Sequence, residues 1–193
     1  YQDICLLLDL PEVRPETLHE KSKWAMAEIE GICGGRFVFY GGGKVTFKTE
    51  NAEYSANSMA EGFRKAGILS RLLETGAIQP GVSGPLFWDE PESNLNPKLM
   101  KLLVQILLEL SRNGQQIILA THDYVLLKWF DLLMDKGKDD HVRFHSLYRD
   151  ADTSEIKVAS TEDYLKITPN PIDEAFGFLI NQEIENDMGG LGK

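Results

Sequence analysis

Apolar residues in this chain occur as short unbroken runs, period-two alternations and longer helical stripes, and each predicts a different element. The run ICLLL at Ile4–Leu8, before Pro11, fits a strand or a helix end equally well. Arg14–Gly31 predicts a helix, with Pro15 in its first turn, Gly31 at its end and Leu18, Trp24, Ala25, Ile29 and Ile32 as its apolar side. Arg36–Thr49 predicts a hairpin: RFVFY, a GGG turn, then KVTFKT with Val45 and Phe47 on one face. Ser58–Gly76 predicts another helix, with Phe63, Ala66, Ile68, Leu69, Leu72 and Leu73 as its apolar face. Ser58 and Glu61 stand at capping-box spacing at its start.

The middle of the chain changes rhythm. Leu86–Trp88 is a short apolar strand, Asn96-Pro97 marks a helix start, and Leu99–Leu110 is apolar on a broad face. Asn113-Gly114 ends that helix and Gln116–Ala120 is a second strand. Strand, helix, strand at this spacing is a βαβ unit, which implies parallel strands. Tyr124–Met134 predicts a helix with Leu126, Leu127, Phe130 and Leu133 inward, and Lys136–Asp140 a charged loop. Val142–Tyr148 and Glu155–Ala159 predict a hairpin closed by DADTS, after which Ser160 or Thr161 caps a short helix to Lys166. Ile172–Ile184 is the last helix, and glycine-rich Met188–Lys193 a frayed tail. The class is α/β: a parallel sheet with flanking helices and peripheral hairpins.

Composition narrows the function classes. The 193 residues are 42% hydrophobic, enough for one well-buried core. No apolar run reaches the roughly 18 residues of a membrane span, and Ile4–Leu8 lacks the basic flank of a secretory signal. Cys5 and Cys33 are too few for a disulfide framework and read as buried thiols in a cytoplasmic protein. A net charge of −10 does not support a nucleic-acid-binding surface. The opening at Tyr1, without methionine, suggests a fragment or a processed product.

The candidate chemistry sits at the ends of the two middle strands. In an open parallel sheet, ligands bind there. Asp89 and Glu90 follow the first strand; Thr121, His122 and Asp123 follow the second. For nucleotide hydrolysis, Asp89 would hold a hydrated Mg²⁺, Glu90 would activate the attacking water, and His122 would touch the γ-phosphate. Taken singly, adjacent acids after a strand are often a solvated turn, and a lone histidine is more often structural. Their joint occurrence around the PE/NLNP turn carries the reading. Gly41–Lys44 fails the phosphate-loop pattern G-x-x-x-x-G-K-[ST], because Val38 and Val45 occupy its glycine and hydroxyl positions. On local sequence alone, the Ser58 helix start is a plain cap before it is an anion site.

At these residues the chain resembles the ABC-type ATPases. LFWDEPESNLNP looks like a Walker B strand with its catalytic glutamate and D-loop, ATHD like the switch-histidine loop, and NSMAEGFRKAG like the signature helix. The DEPE form and the NLNP ending are similar to the soluble RecF-, OLD- and SMC-like members and to AAA-family ATPases of bacterial phage defence, and LKITPNPIDEAF looks like the end of such defence-type ATPases. The likeness runs over roughly residues 36–185.

The resemblance implies ATP and Mg²⁺ sandwiched in a homodimer. Ser58, Glu61 and Gly62 would meet the partner's γ-phosphate, with Arg64 or Lys65 supporting the helix and Asn94 and Asn96 in the D-loop at the interface. It implies the C-terminal part of an ATPase domain over residues 1–193, whose Walker A segment lies upstream. Within it fall a hairpin and approach (36–57), the signature-like helix (58–76), a Walker B to switch-histidine core (85–134) and C-terminal hairpin and helices (142–188). An effector protein is a further partner class, and phage defence or a DNA-related process the setting. Met59 and Ala60 stand where the signature has glycines, a second register through Ala60–Glu61–Gly62 is equally defensible, and Asn96 replaces the D-loop aspartate of transporters. Two alternatives follow: a non-hydrolysing dimerisation module, or a transporter nucleotide-binding domain, against which DEPE in place of DEPT weighs.

Overall fold

The computed structural model describes residues 2–190, arranged as two compact units, Tyr1–Thr121 and His122–Lys193. The first unit opens with α1 (Gln2–Leu8), which settles the strand-or-helix ambiguity of the first apolar run. Arg71, only 5% exposed, holds the chain that follows. It donates from Nε to the Leu8 carbonyl (3.0 Å) and from Nη2 to the Leu10 carbonyl (3.0 Å), pairs with Glu74 (2.7 Å) and Glu12 (3.2 Å), and lies over the Phe39 ring. Cys5 is exposed, against expectation. Cys33 is half-buried, and burial pushes its thiol up to about 11.

The second helix, α2 (Glu20–Cys33), starts later than Arg14. Arg14–Thr17 closes as a turn instead, with the Thr17 amide and hydroxyl both on the Arg14 carbonyl, and His19 caps the helix by accepting from the Lys21 amide at 3.1 Å. Ala25 and Ile29 are buried as expected; Ile32 is exposed and Leu18 lies outside the helix.

Lys21 joins α2 to α4 (Pro97–Arg112) through Glu109 at 2.7 Å. The Lys21 ammonium, and then Arg112, hold the Glu109 carboxyl below its ordinary range. A carboxyl whose pKa is depressed by folding contributes stability above its unfolded pKa and loses it as pH falls through the folded value. Lys21→Met is expected to cost less than about 1 kcal/mol at neutral pH, since both side chains are partly solvated. The difference from wild type in urea melts should shrink as pH drops below the usual carboxylate range. A difference that stays constant with pH would show that the contact is packing, not charge.

β1 (Arg36–Phe39), β2 (Val45–Lys48) and β3 (Glu53–Ser55) form an antiparallel sheet, the third strand being additional to the expected hairpin. Gly41, Gly42 and Gly43 all have positive φ in the β1–β2 turn, a backbone that favours glycine, and a strand follows them, so this turn is not a phosphate loop. Phe37 faces Phe47 in register, and Phe47 meets Phe63 of α3 (Glu61–Glu74) edge-on. Gly67 lets α3 close on this sheet, because a Cβ there would lie 2.3 Å from the Phe37 ring.

The βαβ unit forms as the sequence predicts. β4 (Leu86–Asp89) and β5 (Ile117–Ala120) are parallel, with Leu86 opposite Ile117 and Asp89 opposite Ala120. Asn96 caps α4 by accepting from the Lys98 amide at 3.0 Å, with Pro97 in the first turn. Leu103, Val104, Ile106, Leu107 and Leu110 of α4 are buried. Gln115, 1% exposed, ties the two strand entries together by accepting from the Ser83 hydroxyl and donating to the Gly84 carbonyl. The opposite sheet face is open: Phe87 is 70% exposed and Ile118 44%.

In the second unit, α5 (Tyr124–Leu133) is capped by Asp123, which accepts from the Leu126 amide at 2.6 Å. Leu126 and Phe130 are buried. β6 (Phe144–Arg149) and β7 (Ile156–Thr161) form the expected hairpin. In its turn, Lys157 and the Thr153 amide and hydroxyl hold the Asp150 carboxyl down to about 2. Because β7 runs on through Thr161, neither Ser160 nor Thr161 caps the next turn. Asp163 does so, accepting from the Leu165 amide. Tyr164 is buried, edge-on to Phe144 and bonded to Asp173 at 2.9 Å; burial and that carboxylate raise its phenol above the ordinary range. The last helix, α6 (Pro171–Gly190), is longer than expected and takes in Met188–Gly190 of the tail; 191–193 lie outside the described residues. Phe176 on it stacks on Tyr124 of α5. Among the described residues no helix is long and apolar enough to cross a membrane.

Candidate functional site

The site is built where β4 stops. Alternation along β4 leaves Leu86 and Trp88 partly covered and turns Phe87 and Asp89 outward, so the Asp89 carboxylate is exposed at the strand end. Glu90 leaves the strand with φ 45°. That left-handed backbone costs a non-glycine residue roughly 1–3 kcal/mol, and a following proline pushes a residue towards extended backbone as well. Hydrogen bonds hold Glu90 there. Its N–H donates to the Ala120 carbonyl at 2.8 Å, and its carbonyl accepts from Lys65 Nζ at 3.0 Å and from the Ser93 amide at 3.1 Å. Lys65 also donates to the Ser93 hydroxyl. Pro91 and Glu92 are buried behind the bend.

The start of α3 rests on the same loop. Glu61 accepts from Asn94 Nδ2 at 2.9 Å, and Asn94 has φ 60°. Gly62 is buried so closely against the loop that a Cβ would stand 2.6 Å from the Asn94 carbonyl oxygen and 3.1 Å from Leu95 Cα. The Ser58–Glu61 capping box does not form. Residues Ala56–Ser58 make a 3-10 turn, Ala60 takes the cap position without a side-chain bond, and Glu61 is engaged by Asn94. Ser58 is exposed in that turn.

The structure thus brings Glu61, Gly62 and Asn94 into contact, and Lys65 links α3 to Glu90. Asp89 and Asn96 flank the same loop, Asn96 being engaged as the α4 cap. His122 is exposed and is the first residue of the second unit. Three participants escape local sequence reasoning: Lys65 as a clamp on Glu90, Ser93, and the buried Glu92, which accepts from the Thr121 hydroxyl at 2.6 Å. The only trace of Glu92 in the sequence is the last acid of DEPE.

The donor set fits Mg²⁺. Among the described residues no three His, Cys, Asp or Glu side chains gather into a metal cage. One exposed carboxylate at a strand end suits a small hard cation that takes its other ligands from water and phosphate.

Residues 47–128 match the family described as "AAA domain, putative AbiEii toxin, Type IV TA system". The fold is similar to solved SMC ATPase structures. One comes from work on ATP-driven dimerization and DNA-stimulated activation of SMC ATPases; it is 15% identical, with TM-score 0.52, over 85% of this chain and 92% of that one. An SMC head bound to the C-winged helix domain of ScpA is 15% identical, with TM-score 0.52, over 79% of this chain and 45% of that one. The SMC head domain from Thermotoga maritima is 14% identical, with TM-score 0.52, over 83% and 51%. The chain spans about half the length of the latter two. No curated protein matches the chain. The matched stretch, which contains the loop after β4 and the start of α3, is similar to an AAA domain, and the fold is similar to that of SMC ATPase heads.

Proposed function

We propose that this chain supplies the hydrolytic half of an ATP site that is completed at a homodimer interface, within one ATPase domain that includes both units. The observation that carries the reading is the clamped Glu90 at the end of β4, with the start of α3 seated on the loop that follows it. Glu90 takes a proton from water as the water oxygen attacks the γ-phosphorus; the bond to the β–γ bridging oxygen breaks, leaving ADP and phosphate. Asp89 would hold Mg²⁺, which when bound neutralises charge on the β and γ phosphates. His122 contacts the γ-phosphate. Glu61 and Gly62, at a helix start with no side-chain cap, and Ser58, in the 3-10 turn before it, face the γ-phosphate of the partner's nucleotide. Asn94 and Asn96 lie at that interface.

The phosphate cradle comes from a separate segment bearing the Walker A loop. The open face of β4 and β5, with Phe87 and Ile118 exposed, is an apolar surface fit for further structure to cover. The setting is cytoplasmic, with an effector protein and a defence or DNA-related role. Met59 and Ala60 where glycines are usual favour a second reading, dimerisation without hydrolysis.

The test compares ATP turnover by the assembled ATPase, meaning this chain together with the phosphate-loop segment, with that of the chain alone. The assembled protein is expected to hydrolyse ATP with Mg²⁺ and the chain alone to be inactive. Absent turnover in the assembled protein would leave the dimerisation reading. Micromolar ATP binding by the chain alone would refute a cradle supplied from elsewhere. Asp89→Asn is expected to raise the Mg²⁺ concentration needed for half-maximal turnover about tenfold or more, because a charged oxygen ligand is lost. An unaltered Mg²⁺ titration would remove Asp89 from the metal.

A further inference from the structure

Glu92 is 5% exposed, and carboxylates are rarely buried unless paired. One of its oxygens accepts from the Thr121 hydroxyl at 2.6 Å; the other, Oε2, is enclosed and makes no hydrogen bond. Thr121 directly follows β5, one residue after Ala120, whose carbonyl takes the Glu90 N–H. The loop is therefore fastened to consecutive residues of one strand end, by backbone at Glu90 and by side chain at Glu92. Between the two attachments stands Pro91, which narrows the freedom of the residue before it. Glu90 nevertheless holds φ 45°. Such a conformation persists only where its surroundings over-determine it.

We propose that Glu92, through Thr121, is a positioning residue that locks the loop after β4 to the end of β5 and so keeps Glu90 in its left-handed backbone conformation. The inference rests on the hydrolytic role proposed for Glu90. Glu92 touches no reacting atom in this scheme; it acts only through where Glu90 stands.

Amide hydrogen exchange on this chain tests the lock without ATP. In Thr121→Val, exchange at Glu90, Ser93 and Leu95, whose N–H groups bond within this loop or to Ala120, should accelerate at least about tenfold, with Leu103 and Ile106 in α4 unchanged. Thr121→Ser keeps the donor and should restore protection. In the assembled ATPase, Thr121→Val should lower kcat about tenfold at unchanged KM for ATP, and Thr121→Ser should recover most of it. The Glu92→Leu/Thr121→Val pair removes both partners and leaves no buried charge, so it remains measurable where Thr121→Val does not fold. Its kcat should be no lower than that of either single variant. Unchanged exchange at Glu90, or losses that multiply in the double variant, would overturn the lock. If Glu90→Gln abolishes turnover while Thr121→Val leaves kcat intact, the positioning role falls and the ATPase reading stands. If Glu90→Gln leaves turnover intact, that reading fails, and with it the catalytic meaning of the lock.

Discussion

Glu90→Gln is expected to lower ATP turnover by about 10²–10⁴-fold in the assembled ATPase, the range that a positioned general base contributes. Glutamine matches glutamate in shape, and the backbone bonds of residue 90 to Ala120, Lys65 and Ser93 do not depend on the charge of its side chain. The loop should therefore keep its conformation and the melting temperature should stay within about 1 °C of wild type, so the loss reads on chemistry and not on folding. Without a base to take the proton, ATP stays intact between the subunits and the closed dimer persists. Size-exclusion chromatography with ATP and Mg²⁺ should show a dimer for the variant where wild type cycles back to monomer. Unchanged turnover would sink the assignment of Glu90. Reduced turnover with no ATP-dependent dimer would keep the base and refute the sandwich.

The parts of this site that the sequence made legible are those set by local rules. Leu86–Trp88 and Gln116–Ala120 read as strands because turn residues bound them, and Asn96-Pro97 specifies a helix start within two residues. Asp89 and Glu90 stand out as candidates because strand ends are where an open sheet binds ligands.

What stayed hidden depends on distant partners. The Ser58–Glu61 spacing is a sound capping box by itself, but Asn94, in a loop 33 positions away, takes the Glu61 carboxylate. The start of α2 is the exception, a local matter: turn bonds at Arg14–Thr17 and the His19 cap move it to Glu20. Glu92 looks like a solvated acid until Thr121 is seen beside it, 29 positions on. Lys65 enters the sequence reading only as a support of the signature-like helix, whereas it holds the Glu90 carbonyl, 25 positions on. Periodicity cannot report pairings of this kind, because it carries no information on which surfaces meet.

Gly62→Ala is expected to damage both packing and assembly, and a second glycine calibrates it. The added Cβ at position 62 would stand 2.6 Å from the Asn94 carbonyl oxygen and 3.1 Å from Leu95 Cα. Both obstacles are backbone, in a loop pinned by the Glu61–Asn94 and Lys65–Glu90 bonds, so relief requires α3 to move as a body. Overpacking of this kind costs about 1–3 kcal/mol, more than the helix-propensity gain of alanine returns in a first turn. At roughly 2–4 °C per kcal/mol for a chain of this size, a fall of several degrees in melting temperature follows. The start of α3 would also swing off the loop, so the ATP-dependent dimer of the Glu90→Gln protein should be lost when Gly62→Ala is added. Gly31 lies in α2 with nothing within 4 Å of its would-be Cβ. There the propensity term acts unopposed, and Gly31→Ala is expected to be neutral or to stabilise by up to about 1 kcal/mol. Equal melting temperatures for the two variants would mean that α3 does not press on the loop. A destabilised Gly62→Ala protein that still dimerises with ATP would separate this packing from the nucleotide interface.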